Sequence, residues 1–376
     1  MLAFHLIAFD IPYPANYGGA IDVFYKLKAF HACGARVILH CFEYGDRTPQ
    51  AELEKYAHKV YYYKRNTSAF AKIMPFPYIV FSRMVNELAN NLIAYDLPIF
   101  AEGLHCTGFF SLPKLAERRK TVRMHNVEWR YYANLAQTES NPVKRLYFQT
   151  ESSRLKRFET TCLRVTDAII PISAKENDYF AAHFPKVERR LALPFHPYEK
   201  ILPLLTGVGN FALFHGNFAV SDNEKSALFL IEEVFSETDF PLVLAGRTPG
   251  NKLIKAAAKQ ANVKLVSNPS HDEMLQLKRA AQIHILWTMH EAGMKLKLVE
   301  TLFTGRHCIA NDLMTDSQES HAVIHLADNA TGVLSKIEIL RNKPFSEEEC
   351  NRRSTFLSEK FDNIANARSL IEVIVG

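Results

Sequence analysis

Short apolar segments alternate with longer amphipathic segments along most of the chain. In the first half this pattern predicts strands near residues 2–9, 35–42, 57–63, 97–101, 121–125 and 168–172. In the second half it predicts strands near residues 211–215, 241–245, 263–266, 282–287, 307–310 and 323–326. Strands that alternate with helices indicate parallel sheets, whose ligand crevice lies at the carboxyl ends of the strands.

The length of the chain indicates more than one domain. At 376 residues it is longer than one hydrophobic core usually supports. The segment "PFHPYEKILPLLTGVGN" is rich in proline and glycine and is typical of an inter-domain connection. We therefore expect an α/β protein of two doubly wound Rossmann-like domains that face a central cleft, with bounds 1–195 and 196–355. Residues 356–376 would form a helical tail, with packing against the first domain as one option.

The composition is that of a soluble globular protein. Hydrophobic residues make up 48% and charged residues 23% of the chain, and no apolar run approaches the roughly 18–20 residues that span a bilayer. The six cysteines include no CxxC pair, which favours buried thiols in a reducing cytosol over a zinc site or a disulfide framework. No Asp-x-Asp pair is present to hold a divalent metal at a diphosphate, so we expect no metal and no cofactor.

Charge is distributed unevenly between the two halves. Residues 1–200 carry 27 basic and 19 acidic side chains, a net charge of +8, whereas residues 201–376 carry 18 and 21, a net charge of −3. A basic first half suits an anionic lipid surface or a phosphate-bearing substrate. An ordinary solvated face explains the same excess.

The first candidate motif is "DIPYPANYGGAIDVFYKL", in which Gly18 and Gly19 follow the first strand and open a helix. Glycines let a ligand approach the backbone closely, and the first N–H groups of a helix favour an anion. The run is not GxGxxG, so the dinucleotide fingerprint is missing. Paired glycines are also ordinary turn residues.

The second motif is "TVRMHNVEWRYY", in which His125 follows a short strand. A histidine at this edge of a sheet suits a sugar hydroxyl or a reacting centre. The alternative is a loop histidine that caps the next helix.

The third motif is "FALFHGNFAVSDNEKSALFL", where Gly216 and Asn217 end a strand. The glycine loop suits a phosphate, whereas Ser221 with Glu224 matches a capping box and is purely structural. In "PISAKENDYF", Ser173 and Glu176 match a second capping box.

The last two motifs place cations at strand ends. In "PLVLAGRTPG", Arg247 follows a buried strand and is placed for a phosphate, with an exposed loop arginine as the alternative. In "HEAGMKLKLVETLFTGRHCIAND", Gly293 precedes a helix on which Lys297 and Glu300 share a face. That pair suits a diphosphate and a ribose, or it is a surface salt bridge.

Taken in this order, the motifs resemble those of the GT-B fold glycosyltransferases of the large retaining family four, also called glycosyl transferases group 1. The run "GMKLKLVETL" is similar to the "GxxxKxxEAM" variant that many members carry, and the resemblance covers nearly the whole chain. It implies a nucleotide-sugar donor bound by the second domain, an acceptor bound by the first, and transfer with retention of configuration.

The resemblance also implies roles for individual residues. Catalytic roles fall to His125 near the reacting sugar, Lys297 on the leaving phosphate and Glu291 on sugar hydroxyls. Donor-binding positions would be Gly18, Gly19, Gly216, Asn217, Arg247, Gly293, Lys295, Lys297 and Glu300, the last on the ribose. Acceptor-binding candidates, chosen by strand-end position, are Tyr17, Glu102, His105, Asn126 and Trp129.

Two departures from the family pattern affect these roles. The family commonly spaces two glutamates eight apart, whereas Glu291 and Glu300 are nine apart, so Glu291 requires a one-residue shift. The family often has Gly-Arg with a lysine six residues later, whereas this chain has Asn217 and Asn223 at those places. Arg247, Lys295 and Lys297 are the candidates to compensate for the missing cations.

The expected activity is metal-independent transfer of a hexose-type sugar from a nucleotide-sugar, with UDP or GDP as the expected nucleotide. The acceptor would be a glycan or lipid-linked molecule in polysaccharide synthesis, and no nucleic acid would be bound. We expect a cytoplasmic protein with peripheral contact at the anionic inner face of the membrane. A GT-B type nucleotide-sugar epimerase and a non-catalytic nucleotide-sugar-binding partner remain alternatives.

Overall fold

The computed structural model describes residues 2–68, 71, 74–201, 207–289, 296–315 and 318–376. These residues form two compact units. The first comprises the described residues up to Pro197 together with Phe361–Gly376, and the second comprises those from Tyr198 to Lys360.

All strands of the described residues pair in parallel. The strands of the first unit are β1 (Ala3–Ala8), β2 (Arg36–Glu43), β3 (Lys59–Lys64), β4 (Ile99–Glu102), β5 (Lys120–Met124), β6 (Ala168–Pro171) and β7 (Glu188–Arg189). The strands of the second are β8 (Ala212–Asn217), β9 (Leu242–Arg247), β10 (Val263–Ser267), β11 (Ile283–Leu286), β12 (His307–Ala310) and β13 (His325–Leu326).

Helical segments separate most consecutive strands of the described residues. The α-helices are α1 (Gly18–Ala32), α2 (Tyr78–Phe81), α3 (Asn86–Ala94), α4 (Glu128–Thr138), α5 (Pro142–Cys162), α6 (Ala174–His183), α7 (Ser221–Phe229), α8 (Asn251–Ala257), α9 (His271–Ala280), α10 (Leu296–Thr304), α11 (Ala330–Leu340), α12 (Glu347–Lys360) and α13 (Asn363–Val375). Short 3₁₀ segments are Ala51–Lys55, Leu104–Cys106, Pro113–Leu115, Leu163–Val165, Asp312–Met314 and Gln318–Ala322, and Leu230–Val234 is a π-helix.

Each unit has the strand order of a doubly wound α/β fold. The first sheet runs β3-β2-β1-β4-β5-β6-β7 and the second runs β10-β9-β8-β11-β12-β13. Successive strands are added toward one edge of the sheet and then toward the other, and this change of order falls between β1 and β4 and between β8 and β11. Folds of this type bind ligands at that point. The predicted α/β class is confirmed, and each predicted strand is present. The sequence did not indicate β7.

The core of the first unit includes residues that are distant in sequence. The side chains of helix α13 belong to the same buried cluster as β1 and α1, with Phe4, Leu27, Phe30, Leu370 and Ile374 all fully buried. The predicted boundary at 355/356 lies within helix α12. None of the described helices combines the length and the apolarity needed to cross a membrane. All six cysteines are free thiols, and four of them are buried.

Helix starts differ from the sequence signatures in two of three cases. The Ser221 prediction is wrong, because Val220 is the N-cap and no side chain caps that helix. Ser173 does cap its helix by accepting from the N–H of Glu176 at 3.3 Å. A complete capping box, which the sequence reading missed, joins Ser270 and Glu273 at the start of α9.

Candidate functional site

In the first unit, close packing brings the Gly18-Gly19 loop to His125. A Cβ atom on Gly19 would lie 2.6 Å from Cζ of Phe9, so a side chain there would displace that ring. Phe9 in turn meets His125 edge to face, with ring centroids 5.5 Å apart. No side chain of the described residues caps α1 at Tyr17, which leaves the first turn of the helix suited to an anion.

His125 is held by a carboxylate from the neighbouring strand. Its Nε2–H donates to Glu102 Oε2 at 2.9 Å, and both side chains are buried. Because a carboxylate only accepts, the proton of the neutral ring lies on Nε2 and leaves Nδ1 as an acceptor. Nδ1 is buried and has no hydrogen-bond partner within the described residues, so it is the ring atom that suits a substrate hydroxyl.

A buried cluster of charges holds Glu102 in turn. The Lys26 ammonium lies 2.7 Å from Glu102 Oε1 and 2.8 Å from Asp22 Oδ2. Arg123 donates two hydrogen bonds of 2.9 Å to the Asp22 carboxylate. Burial by itself raises the pKa of Glu102, but Lys26 and His125 outweigh burial and hold that pKa below its usual value. Glu102 is therefore the anionic partner of His125.

Two groups of side chains within the described residues have ligand atoms close enough for a metal ion. Asp22, Glu102 and His125 form the first, with ligand atoms within 4.8 Å of one another. Lys26 and Arg123 already neutralise both carboxylates, so a divalent cation there would face two buried positive charges. The donor set fits an internal ion-pair network better than a metal centre.

The second group is His307, His325 and Glu349, at the amino ends of β12 and β13. Glu349 is engaged there by Lys343 at 2.9 Å and by Ser346 at 3.0 Å. The lysine and the serine satisfy both carboxylate oxygens, and the group lies at the edge of the sheet opposite to the strand ends where ligands bind.

The remaining acceptor candidates surround the same strand ends but differ in their contacts. Tyr17 is 40% exposed and donates to Asp10 Oδ2 at 2.6 Å. The ring of His105 lies against Phe9 with centroids 5.8 Å apart, and burial holds the pKa of His105 well below its usual value. Tyr17 therefore lies at the Gly18-Gly19 loop, where a Cβ atom on Gly19 would meet its ring at 3.1 Å, and His105 contacts the same Phe9 ring as His125.

Asn126, Trp129 and Glu102 are placed differently from one another. Asn126 is half-buried in the turn directly after His125. Trp129 donates its indole N–H to the Tyr179 hydroxyl at 2.9 Å, which ties it to helix α6. Glu102 has no exposed surface, and each of its oxygens faces a protein group. The side chain of Asn126 hydrogen-bonds Glu128 at the start of helix α4.

In the second unit, the ends of β8 and α10 meet. A Cβ atom on Gly216 would lie 2.9 Å from the Lys297 ammonium nitrogen. Lys297 donates to Asn223 Oδ1 at 2.8 Å, and Asn223 donates to the carbonyl of Asn217 at 2.8 Å. The predicted positions Gly216, Asn217 and Lys297 therefore form one group at a strand end and a helix start.

The neighbouring strand β9 adds Arg247 to this edge. Gly216 pairs with Gly246 and Asn217 with Arg247 in the register of β8 and β9. A Cβ atom on Gly246 would lie 1.8 Å from the carbonyl oxygen of Gly216, so the strands can approach this closely only through glycine. Arg247 is exposed beyond that contact.

Glu300 already has partners on one carboxylate oxygen. Its Oε1 accepts from the Tyr198 hydroxyl at 2.7 Å and pairs with the Lys278 ammonium at 2.7 Å. Its Oε2 lies 4.0 Å from Nε2 of His215, which is beyond hydrogen-bond distance. Burial, with Lys278 and Lys297 nearby, holds the pKa of His215 well below its usual value. The second oxygen of Glu300 therefore faces a neutral imidazole.

Three predicted residues, Glu291, Gly293 and Lys295, lie outside the described residues. The sequence reading missed Lys278, Tyr198 and His215 around Glu300, because they come from a helix, a loop and a strand that are distant in sequence and carry no spacing signal. Asp22 and Lys26 did carry a spacing signal, because they are four apart in a helix whose other positions are largely apolar.

No known family model matches the chain. A curated relative, an uncharacterized 44.6 kDa protein in the cps region of Klebsiella pneumoniae, is 24% identical and is matched over 95% of this chain and 96% of its own. The match therefore runs from end to end but carries no assigned activity.

Solved structures decide the fold. Sucrose-phosphate synthase from Thermosynechococcus elongatus superposes with a TM-score of 0.69 at 15% identity, over 99% of this chain and 98% of that one. Anabaena HepE in complex with UDP superposes with a TM-score of 0.67 at 12% identity, over 99% of each chain. The protein has the GT-B fold. Another structure of HepE, in complex with UDP and glucose, superposes with a TM-score of 0.62 at 12% identity over 99% of each chain, so GT-B likeness extends along the whole chain.

Proposed function

We propose that this protein is a glycosyltransferase of polysaccharide synthesis. It would move a hexose-type sugar from a nucleotide-sugar, UDP- or GDP-linked, to a glycan or lipid-linked acceptor with retention of configuration and without a metal ion. The observation that carries the proposal is the Gly216–Lys297–Glu300 constellation on a GT-B fold whose relative HepE is solved with UDP. The cps-region relative supports the process.

The second unit supplies the chemistry for a departing diphosphate. Negative charge builds on the leaving group during glycosyl transfer, and a fixed cation stabilises it. The Lys297 ammonium, fixed by Asn223 and standing over Gly216, meets that need, with Arg247 beside it on β9. The free oxygen of Glu300 would accept from a ribose hydroxyl.

The first unit supplies an acceptor atom for a sugar hydroxyl. Glu102 fixes the proton of His125 on Nε2, and Nδ1 is left to receive a hydrogen bond from the substrate. We assign Glu102 to positioning His125, and Tyr17, His105 and Asn126 to the surroundings of the acceptor. The protein would act in the cytoplasm, at the inner face of the membrane.

Donor turnover tests the proposal and separates it from both alternatives. Ligands are first found by thermal shift with UDP, GDP, ADP, CMP and their sugars, because a ligand at about 100 times its Kd stabilises a fold by about 2.7 kcal/mol. Nucleotide release from the matching sugar donor is then measured with and without an oligosaccharide or lipid-linked acceptor, and with EDTA. Release that needs the acceptor and survives EDTA is the expected result.

The other outcomes would each assign a different function to this protein. An altered sugar nucleotide formed without acceptor would identify an epimerase, and binding without turnover would identify a non-catalytic partner. Glu300→Ala should abolish the thermal shift, whereas Glu233→Ala, an exposed carboxylate of the same unit, should leave it unchanged. No shift with any nucleotide would count against the donor site as drawn.

A further inference from the structure

His215 is a buried histidine whose Nε2 atom has no hydrogen-bond partner among the described residues. It lies on β8 directly before Gly216, and it is only 6% exposed. Buried polar atoms of native proteins are nearly always hydrogen-bonded, so each exception calls for an explanation. Burial holds the pKa of His215 well below its usual value, and Lys278 and Lys297 add to this effect. The ring is therefore neutral and supplies one N–H donor and one acceptor.

The Nε2 atom of His215 faces a carboxylate oxygen across a gap. Nε2 lies 4.0 Å from Oε2 of Glu300, which is too far for a hydrogen bond. The other oxygen, Oε1, lies 2.7 Å from both the Tyr198 hydroxyl and the Lys278 ammonium. These two contacts fix the carboxylate and leave Oε2 directed at the histidine. The side chain of Glu300 is 25% exposed, so a ligand has access to the gap from the side of Glu300.

The gap has the geometry of a hydroxyl site. An oxygen atom about 2.8 Å from both Nε2 and Oε2 would see them at an angle of about 90°, which is compatible with one accepted and one donated hydrogen bond. With the ring proton on Nε2, a hydroxyl accepts from the histidine and donates to the carboxylate. A phosphate oxygen could not donate to Oε2, and an amide N–H could not accept from Nε2. The pair therefore favours an alcohol.

The position of the gap relative to Lys297 indicates which alcohol it suits. Lys297 and Glu300 are three apart in α10, so they share a face of the helix and lie about one turn, roughly 5 Å, apart. His215 directly precedes Gly216, whose Cβ position lies 2.9 Å from the Lys297 ammonium. With the diphosphate of a nucleotide at Lys297, the next polar groups along the nucleotide are the hydroxyls of its ribose.

We propose that His215 and Glu300 together hold one ribose hydroxyl of the donor, which makes His215 a specificity-determining residue. His215 donates to that hydroxyl, and Glu300 accepts from it. A donor that lacks the hydroxyl leaves both groups unpaired, and sites built to bond a hydroxyl reject such analogues. The inference rests on the proposed function, because it places the ribose in the same donor site.

Binding of deoxynucleotides tests the assignment. Isothermal titration calorimetry gives the Kd of UDP, 2′-deoxy-UDP and 3′-deoxy-UDP, or of the same series of GDP if thermal shift selects that nucleotide. One of the two deoxy analogues should bind at least about tenfold more weakly than the parent nucleotide, because a hydrogen bond to a charged group is lost. A loss confined to the 2′-deoxy analogue would in addition exclude deoxyribonucleotide sugars as donors.

Variants of His215 test the part that this residue plays. His215→Phe keeps a ring but removes both nitrogens, so it should weaken binding of the parent nucleotide about two- to tenfold. The same variant should leave binding of the discriminated deoxy analogue unchanged, because that analogue has no hydroxyl to lose. His215→Gln, whose amide N–H replaces the Nε2 donor, should restore most of the preference. His271→Phe replaces an exposed histidine of the same unit and is the matched control.

Two outcomes overturn the inference and leave the proposed function standing. The first is equal binding of the parent nucleotide and both deoxy analogues by the natural protein. The second is a loss of the same factor for all three nucleotides in His215→Phe, which would be a structural effect. Melting temperatures measured without nucleotide separate misfolding from lost binding, and His215→Gln decides if His215→Phe does not fold. Absence of binding by every nucleotide overturns both the inference and the donor site of the proposed function.

Discussion

The Lys26 ammonium lies 2.7 Å from the Glu102 carboxylate, and neither side chain has exposed surface. Removing one partner of a buried ion pair costs about 3–5 kcal/mol, so Lys26→Met and Glu102→Gln should each lower the free energy of unfolding by about that much. The double variant leaves Asp22 paired with Arg123, and should be less destabilised than the sum by at least about 1 kcal/mol. Urea unfolding of the four proteins measures this coupling, and additive losses would contradict it.

A buried carboxyl at the start of α4 should make stability depend on pH. Burial raises the pKa of Glu128 to about 7. Because the pKa of Glu128 is higher in the folded than in the unfolded protein, its protonation stabilises the fold. This contribution to the free energy of unfolding is fully present below the unfolded pKa of about 4.3 and is lost as the pH rises through about 7. Glu128→Gln resembles the protonated form, so its stability gain over the natural protein should be larger by roughly 2–3 kcal/mol at about pH 8 than at about pH 5.

Urea midpoints at both pH values measure the effect of Glu128. Glu54→Gln replaces an exposed carboxylate in the same unit and serves as the control. A pH-independent difference for Glu128→Gln would show that Glu128 is ionised in the folded protein.

Lys297 should be the main cation on the leaving group. Lys297→Met should lower kcat/KM by about 10²–10³, which corresponds to about 2.7–4 kcal/mol. Asn223→Ala should have a smaller effect in the same direction, since it only releases the ammonium. Lys264→Met, on an exposed position of β10, should change nothing. Steady-state kinetics with varied donor would place Lys297 outside the site if all three variants behaved alike.

Alanine substitutions at two paired glycines, Gly216 and Gly246, should have different effects on donor binding and stability. The added Cβ of Gly216→Ala meets the end of a flexible lysine, whereas that of Gly246→Ala meets a backbone carbonyl at 1.8 Å. Gly216→Ala should therefore weaken donor binding with little loss of stability, and Gly246→Ala should destabilise by more than about 3 kcal/mol or not fold. Melting temperature and donor Kd distinguish the two. Equal stability of the variants would argue against the strand contact.

Arg247 should contribute to donor affinity from β9. Arg247→Ala is expected to raise the donor KM by about 10- to 150-fold, in keeping with one lost charge-assisted contact of about 1.5–3 kcal/mol. Lys259→Ala removes an exposed cation of the same unit and is the control. Unchanged kinetics of Arg247→Ala would remove it from the site.

The strands were predictable because each is a short apolar run between polar segments. β12, for example, is buried at all four positions and reads as such in the sequence. β7 has two residues, one of them the exposed Glu188, and such a run has no period to detect. The alternation of strands and helices predicts parallel sheets but not their strand order, since doubly wound folds occur with more than one order.

Side-chain networks were harder to predict than strands. Asp22 and Lys26 look like a surface pair of one helix, and only Glu102 and Arg123, from β4 and β5, turn them into a buried cluster. The capping prediction at Ser221 failed for a local reason. A serine three residues before a glutamate also occurs inside the first turn of a helix, where it does not cap. At the candidate site, the family pattern located Lys297 but not Asn223, the side chain that fixes it.

The first unit can complete its core only after helix α13, at the end of the chain, has been synthesised. Its buried residues Leu370 and Ile374 complete the core formed by β1 and α1, yet the ribosome delivers them after the whole second unit. Until then, the nascent first unit exposes an apolar groove, and exposed apolar surface of this kind invites aggregation or chaperone binding. The described residues of the second unit all lie between Tyr198 and Lys360, so that unit can fold while the groove is still open. The order of folding along this chain therefore need not be the order of its synthesis.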